Sequence, residues 1–306
     1  MHLDSKRRLL RDNMPNQYKL NKRVKDDKFT PDEIGKYILN IQISQTLFRI
    51  CVTDTENNRC LLIEDYSLDS VLYPEQLIDQ LSAIYDGHEV LQAGYWRSIR
   101  LAIKDIEFSL IPKSLFDQQH ARDYLKINTG TDAIQNQDVF YYTQKSTDAV
   151  SIFSADKKIV DWFRRQYPGK AITLVHHTTA FIEGILFNNR DQSDKSVFIH
   201  VEKNFLTIVV KSDQKLEFCN SFYFSTSEDF IYFVMFVYHQ LQLNPEYTPL
   251  TLFGEIAPDS AAYKKLYKYV RHIKFGDKPS TIRFCYKFDE VFDHRFFDLY
   301  SMHFCE

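Results

Sequence analysis

Apolar and polar residues alternate along two stretches of the chain, residues 38–52 and 197–210. An alternation with a period of two predicts β-strands, and a turn-like break in each stretch divides it into two strands. In both places a third strand follows, and then a helix with apolar residues three or four positions apart. Both series continue as strand, helix, strand. The pattern therefore predicts an α/β chain in which the order β-β-β-α-β-α-β occurs twice.

The two stretches also match residue by residue. Residues 38–42 and 198–202 lie 160 positions apart with apolar and polar residues in step, and residues 47–52 match 205–210 at an offset of 158. A first hairpin turn that is shorter in the second copy reconciles the two offsets. We therefore expect a tandem duplication, with a first half over residues 35–190 and a second half over residues 191–306 that ends in a C-terminal helix near 289–300.

The first 34 residues differ from the rest in composition. They hold nine Lys or Arg and six Asp or Glu, with few large apolar side chains and no clear periodicity. Such a segment buries too little apolar surface to offset the entropy lost on ordering. We expect residues 1–34 to form a mobile charged arm.

Charge and cysteine content narrow the class of protein. Lys and Arg total 38 against 41 Asp and Glu, a net charge of −3, which gives no overall attraction to nucleic acid or an anionic membrane. The five cysteines include no Cys-x-x-Cys pair, so neither a disulfide framework nor a zinc ribbon is indicated. No apolar run is long enough for a membrane span, and no signal-peptide pattern follows the N-terminus. We expect a cytoplasmic protein.

Glycine is scarce, with eight residues that are never closely spaced. Glycine-rich phosphate loops need several neighbouring glycines so that backbone amides can approach the phosphates. The sequence therefore argues against both the Rossmann and the P-loop types of nucleotide site.

Two tandem β-β-β-α-β-α-β halves resemble the superfamily of actin, heat-shock chaperones and sugar kinases, whose halves are ribonuclease H-like. The chain is also similar to a Bacteroidetes family that is classified as a domain of unknown function. The likeness covers about residues 37–300. It implies a five-stranded mixed sheet of order 3-2-1-4-5 in each half, with a cleft between the halves that holds nucleotide in active relatives.

The resemblance fails at the positions that bind phosphate and magnesium in active relatives. Each half of such a protein opens with a strand that carries Asp-x-Gly, and here Asn40 with Gln42 and His200 with Glu202 stand in those places. An apolar strand followed by paired glycines forms the adenosine motif, and this chain has Gly254 followed by Glu255. These six residues are the expected, degenerate cleft positions, and Glu202 is the one sure negative charge among the four hairpin positions.

We therefore expect a non-catalytic actin-like protein that acts as an interaction or scaffold module, with no catalytic residue, cofactor or metal and with a protein partner of unknown identity. His200 and Glu202 alone are too few ligands for a metal site. The alternative is an ATP-binding phosphotransferase or ATPase that uses atypical residues in the cleft. A ribonuclease H-like nucleic-acid enzyme is a third interpretation, but it needs clustered carboxylates on the first strand, where Asn40 and Gln42 stand.

Overall fold

A computed structural model describes residues 18–69, 71, 73–130, 137–189 and 194–305. Six strands of the first half form one sheet. In spatial order they are β1 (Tyr18–Lys25), β4 (Arg59–Leu68), β3 (Leu47–Asp54), β2 (Tyr37–Ile43), β5 (Ser98–Ile103) and β9 (Ile172–His176). The β2–β5 and β5–β9 pairs are parallel and the other three pairs are antiparallel.

The second half contains a five-stranded sheet. Its spatial order is β12 (Lys215–Tyr223), β11 (Phe205–Ser212), β10 (Ser196–Val201), β13 (Leu250–Gly254) and β14 (Ile273–Phe275). Numbered within the half, this order is 3-2-1-4-5, which confirms the prediction. The first sheet has the same five-strand order, with β1 added at its edge beside β4.

An additional three-stranded antiparallel sheet interrupts the first half. It consists of β6 (Phe108–Pro112), β8 (Ala149–Asp156) and β7 (Gln137–Thr143), in that spatial order. Strand β8 of the first half therefore pairs in this additional sheet and not in the parallel series. Alternation of predicted strands and helices alone cannot tell which sheet a strand joins, because pairing depends on distant segments.

Eight α-helices occur among the described residues. They are α1 (Pro74–Tyr85), α2 (Glu89–Gln92), α3 (Ala121–Thr129), α4 (Lys157–Gln166), α5 (His177–Asn188), α6 (Ser227–Gln240), α7 (Ala261–Leu266) and α8 (Phe297–Ser301). In the stretch where the C-terminal helix is expected, a 3-10 turn over Tyr286–Glu290 precedes the short α8. No helix in the described ranges is both long and apolar enough to cross a bilayer.

The prediction of a mobile arm over residues 1–34 is wrong for residues 18–34. Residues 1–17 lie outside the described part of the chain. Strand β1 pairs with β4, and a 3-10 helix covers Pro31–Lys36. Val24, Phe29 and Ile34 are buried, and Arg23 Nε lies 2.6 Å from the buried Glu64 carboxylate. Hydrogen bonds between the strands and ion pairs thus add to the burial of a few apolar side chains. A prediction that considers only apolar content overlooks these polar contributions.

The packing places the two sheets on either side of a central pair of helices. Phe181 of α5 lies against Phe253 of β13 and Phe297 of α8, with ring centroids 5.6 and 6.0 Å apart. Both helices are almost entirely buried. The carboxyl ends of β2, β5 and β10 meet beside them, and this junction is where the polar residues of the two halves come together.

Candidate functional site

A cluster of charged and polar side chains, all of them buried except the partly exposed Glu255, lies at the junction between the two halves. Its members come from strands and strand ends of both sheets and from the C-terminal segment. We call it the junction cluster, and it comprises Gln42, Arg49, Asp65, Lys104, His200, Glu202, Glu255 and Asp298.

Strand register brings three of these residues side by side. Gln42 of β2 is paired with Arg49 of β3, and Arg49 is paired with Asp65 of β4. Residues opposite each other on neighbouring strands project from the same face of a sheet, so all three face the second half. Lys104 follows β5 directly, and its N–H donates to the Ile43 carbonyl at 2.9 Å.

The Lys104 ammonium is the centre of the cluster. Its Nζ lies 2.5 Å from Glu202 Oε1 and 2.5 Å from Asp298 Oδ2. Lys104 and Asp298 have no exposed side-chain surface and Glu202 has almost none. One cation from the first half therefore bridges two carboxylates, one from the second half and one from the C-terminal segment. Such a charge persists away from water only because it is paired.

Arg49 makes a second bridge between the halves. Its Nε donates to Asp65 Oδ1 at 2.7 Å, its Nη1 to Glu202 Oε1 at 3.2 Å, and its Nη2 to Glu255 Oε1 at 2.7 Å. All three nitrogens of the guanidinium thus donate to carboxylates, which fixes its orientation. At the rim, Arg295 Nη2 reaches the same Glu255 oxygen at 3.1 Å.

His200 and Gln42 contact Asp298 from opposite halves. The Nε2 atom of His200 lies 3.1 Å from Asp298 Oδ1, and its Nδ1 atom lies 3.6 Å from Glu202 Oε1. Gln42 Nε2 donates to Asp298 Oδ2 at 2.9 Å. Asp298 is therefore in contact with Lys104, His200 and Gln42 at once.

The pKa shifts follow from this pairing. Burial by itself raises the pKa of Glu202, but the positive charges of Lys104 and Arg49 outweigh burial and lower the pKa to about 2. Burial also acts to raise the pKa of Asp298, and His200 and Lys104 hold it well below its ordinary value. For Arg49, burial favours a lower pKa, but Glu202, Asp65 and Glu255 raise it. Glu202, Asp298 and Arg49 are thus charged at neutral pH.

Gly254 has a structural reason for being glycine. Its φ is +83°, and a Cβ at this position would lie 2.1 Å from the Val201 carbonyl oxygen. Glu255 N donates to that same oxygen at 2.6 Å, and Gly254 N donates to the His294 carbonyl at 2.9 Å. The glycine lets β13 approach β10 and turn toward the junction cluster.

The structure brings four of the six predicted cleft residues into the junction cluster. Gln42, His200, Glu202 and Glu255 belong to it, and Gly254 adjoins it through its backbone. Asn40 lies two residues before Gln42 on β2 and is outside the cluster, and its Nδ2 atom donates to Thr53 Oγ1 at 3.4 Å. The junction cluster contains four carboxylates. From the four hairpin positions alone, the sequence predicted one certain negative charge, that of Glu202.

Sequence reasoning missed Arg49, Asp65, Lys104 and Asp298. Arg49 did have a local signal, because it is the one charged residue among the apolar side chains of residues 47–52. Asp298 had none, since its partner Gln42 is 256 positions away.

Three of the residues could in principle hold a cation. His200, Glu202 and Asp298 each offer a ligand atom, and these atoms all lie within 4.8 Å of one another. However, Lys104 Nζ already lies 2.5 Å from both carboxylates, close to the distance at which a metal ion would bind them. The donor set does not fit a metal ion while Lys104 holds this position.

Comparisons with known proteins agree with the architecture. The chain is 22% identical to a Bacteroides thetaiotaomicron protein with an actin-like ATPase fold and unknown function, with a TM-score of 0.76 over 91% of this chain and 99% of that one. It is 11% identical to a chain of the PilM–PilN type IV pilus biogenesis complex, with a TM-score of 0.56 over 88% of this chain and 98% of that one. At these identities the likeness shows the fold, which is the actin-like ATPase fold.

Comparison with curated proteins finds no match. A family model matches residues 26–273, which is most of the chain, and its description is "Protein of unknown function (DUF3822)". The chain therefore belongs to the DUF3822 family.

Proposed function

We propose that the protein is a non-catalytic member of the actin-like fold class that acts as an interaction or scaffold module. The observation that carries this proposal is the position of Lys104. Its ammonium pairs with Glu202 and Asp298 at the junction of the two halves, where active relatives hold nucleotide and magnesium.

The charge balance at the junction opposes a nucleotide. Three cations, the buried Arg49 and Lys104 and the partly exposed Arg295 at the rim, face four carboxylates, and each is within ion-pair distance of two or more of them. A triphosphate would have to separate these pairs in a low-dielectric site, where lost pairing is costly. It would also meet excess negative charge with no room for a bridging metal ion.

The size of the side chains at the junction also opposes nucleotide binding. The positions that resemble the phosphate-binding glycines hold Gln42 and Glu202, and both side chains are buried. Phosphate sites in the actin-like class need backbone amides that are open to the ligand, which side chains of this size cover. The residues present therefore do not fit Mg-ATP, and no catalytic step is assigned to them.

The buried bridges also bear on what the fold does. Nucleotide-driven domain closure requires two arrangements of the halves that differ by a few kcal/mol. Breaking buried ion pairs such as those of Lys104 and Arg49 costs about as much or more, so we propose that the halves stay in one arrangement. A rigid double domain suits a binding or scaffold role.

The precedent for a protein partner is the PilM–PilN complex, which contains a chain of the same fold. The near-balanced charge of this chain gives no reason to propose nucleic acid as the partner. A cytoplasmic location is part of the same proposal.

Calorimetric titration with Mg-ATP at millimolar concentration, together with a phosphate-release assay, tests the proposal. We expect no saturable heat and no hydrolysis above buffer. A saturable isotherm that Gln42→Glu weakens and the exposed control Lys113→Glu does not would overturn the proposal. It would favour the alternative, an ATP-binding phosphotransferase or ATPase with atypical residues.

A further inference from the structure

A groove lies on the surface of the second half, between α6 and the α7 segment. Its volume is about 650 Å³, and it is open to solvent. We call it the α6–α7 groove, and its lining residues are Glu228, Ile231, Tyr232, Met235, Phe236, Lys265, Lys268 and Tyr269. None of them belongs to the junction cluster.

The groove exposes large apolar side chains in one place. Ile231 is buried at the floor, while Tyr232 and Phe236 are 63% and 41% exposed and their nearly parallel rings lie 6.2 Å apart. Tyr269 lines the α7 side with 53% of its surface exposed. Tyr, Phe and Met are enriched in the centres of protein interfaces, and Met235 adds an adaptable side chain. Single exposed aromatic residues are ordinary, but a contiguous apolar groove indicates an interaction site.

The rim of the groove is positively charged. Glu228 is the one lining carboxylate, and it is paired with Lys265, which also donates to Ser227 Oγ at 2.8 Å. Lys268 also lines the groove, is exposed and has no ion pair within the described ranges. Lys264 and Arg271 lie in the same segment of the chain and are likewise exposed and without an ion pair in that part of the chain. A ligand that rests in the groove therefore meets the unpaired Lys268, and a ligand that extends beyond the groove along this segment meets further basic residues.

From the apolar floor and the basic rim we infer that the groove binds an acidic amphipathic helix of a partner protein. Apolar side chains at positions i, i+3, i+4 and i+7 of such a helix pack on Tyr232, Met235 and Phe236. Carboxylates on its flank face Lys268 in the groove and the neighbouring basic residues Lys264 and Arg271 of the same segment, which sets its orientation and favours it over a basic helix. The groove runs between two helices, so a third helix can pack on both by the usual ridge-and-groove contacts.

This inference deepens the proposed function, on which it rests for the expectation of a protein partner. Its test is independent, because no lining residue of the groove belongs to the junction cluster. Nucleotide binding in the calorimetric experiment would overturn the non-catalytic proposal without affecting the result at the groove.

Two labelled peptides of about four helical turns serve as probes. Both have the same Leu and Phe positions on one face; one has Glu on the other face and the second has Lys. Fluorescence anisotropy with the full chain gives their affinities. We expect saturable binding of the Glu peptide, at least about tenfold tighter than the Lys peptide at low salt and weaker as salt is added.

Variants locate the binding. We expect Phe236→Asp to abolish binding of the Glu peptide and the double change Lys264→Glu with Lys268→Glu to weaken it about tenfold or more. Tyr247→Ser, at an exposed tyrosine outside the groove, and Lys113→Glu are matched controls that should bind as the wild type does. All of these side chains are exposed, and circular dichroism checks that each variant is folded.

Three results of the peptide experiment would overturn the inference. They are the absence of saturable binding to either peptide, equal affinity for the Glu and Lys peptides, and unchanged binding to Phe236→Asp. Sedimentation over a range of protein concentrations tests whether a second copy of the chain occupies the groove instead. Self-association that Phe236→Asp abolishes would show that the groove binds a second copy of the chain, and this too would contradict a separate acidic partner.

Discussion

Lys104 Nζ lies 2.5 Å from Asp298 Oδ2, and neither side chain has any exposed surface. The two residues are 194 positions apart in the chain. The contact joins the end of β5 in the first half to helix α8 in the C-terminal segment. A buried ion pair therefore ties α8 to the first sheet, and the stability of the junction should depend on it.

Lys104→Met should strongly destabilise the protein. The substitution keeps most of the side-chain volume but leaves Glu202 and Asp298 buried without their shared cation, and removing one partner of a buried pair costs about 3–5 kcal/mol. Thermal and urea denaturation followed by circular dichroism measure the change. Lys158→Met is the control, because Lys158 pairs with Glu75 on the surface, and its denaturation midpoints should not move measurably. Equal midpoints for the two variants would contradict a structural role for the bridge.

Stability should decline in acid as the junction carboxylates take up protons. The folded-state pKa values of Glu202 and Asp298 are lowered below their ordinary values of 4.5 and 3.8, so the unfolded chain binds protons first as pH falls. Their stabilising contribution is complete above about pH 5 and is lost progressively toward about pH 2. Urea midpoints measured from neutral pH down into this acidic range should show the decline.

Glu202→Gln identifies the source of that pH dependence. It removes one of the two carboxyls with a lowered pKa, so the variant should be less stable than the wild type at neutral pH but should lose less stability as the pH falls below about 5. Identical pH slopes for the two proteins would show that Glu202 does not contribute.

Lys104→Ala should create a divalent-cation site. Removal of the ammonium leaves His200, Glu202 and Asp298 with ligand atoms within 4.8 Å of one another and a net negative charge to neutralise. We expect about one Zn²⁺ or Mn²⁺ per chain by calorimetry, with a rise in melting temperature that the wild type does not show. If the metal-free variant is unfolded, refolding in the presence of the ion gives the same information. No stoichiometric binding and no thermal shift would refute the prediction.

Gly254→Ala should be much more disruptive than an ordinary glycine substitution. A Cβ would lie 2.1 Å from the Val201 carbonyl oxygen at a φ of +83°, so β13 must move away from β10. We expect a loss of more than about 2 kcal/mol from strain and clash together. Gly87→Ala is the matched control, because no atom beyond its two chain neighbours lies within 4 Å of the position that its Cβ would take, and it should be nearly neutral. Similar melting temperatures for the two variants would contradict the close approach.

Deletion of residues 1–30 should lower the melting temperature by several degrees. It removes β1, exposes the hydrogen-bonding edge of β4, and takes Phe29 out of the first core. Deletion of residues 1–17 keeps the β1–β4 ladder and is the control. If both deletion variants melt at the same temperature, β1 contributes nothing to stability.

Much of the candidate site was accessible from the sequence. The alternation that predicts β2 and β10 also aligns the two halves, and the resemblance to the actin-like superfamily then singled out Gln42, His200 and Glu202 on these strands. These residues do meet at the junction, because equivalent strands of a duplicated fold end there. Gly254 was identified as well, but as part of a degenerate adenosine motif, whereas its structural role is the close approach of β13 to β10.

The strand order of the two sheets and the loss of the acidic and glycine residues at the two hairpins could be predicted from the sequence, because they follow from local periodicity, a resemblance and residue identity. The buried ion pairs that occupy the junction in place of a nucleotide site are visible only in the folded chain. Lys104 and Asp298 lie far apart in the chain and have no shared local pattern, and their pairing exists only because α8 folds back onto the first sheet. Strand β1 is ordered for a similar reason. It has few apolar residues and is held to β4 by ladder hydrogen bonds and by the Arg23–Glu64 ion pair, and sequence periodicity does not identify β4 as its partner.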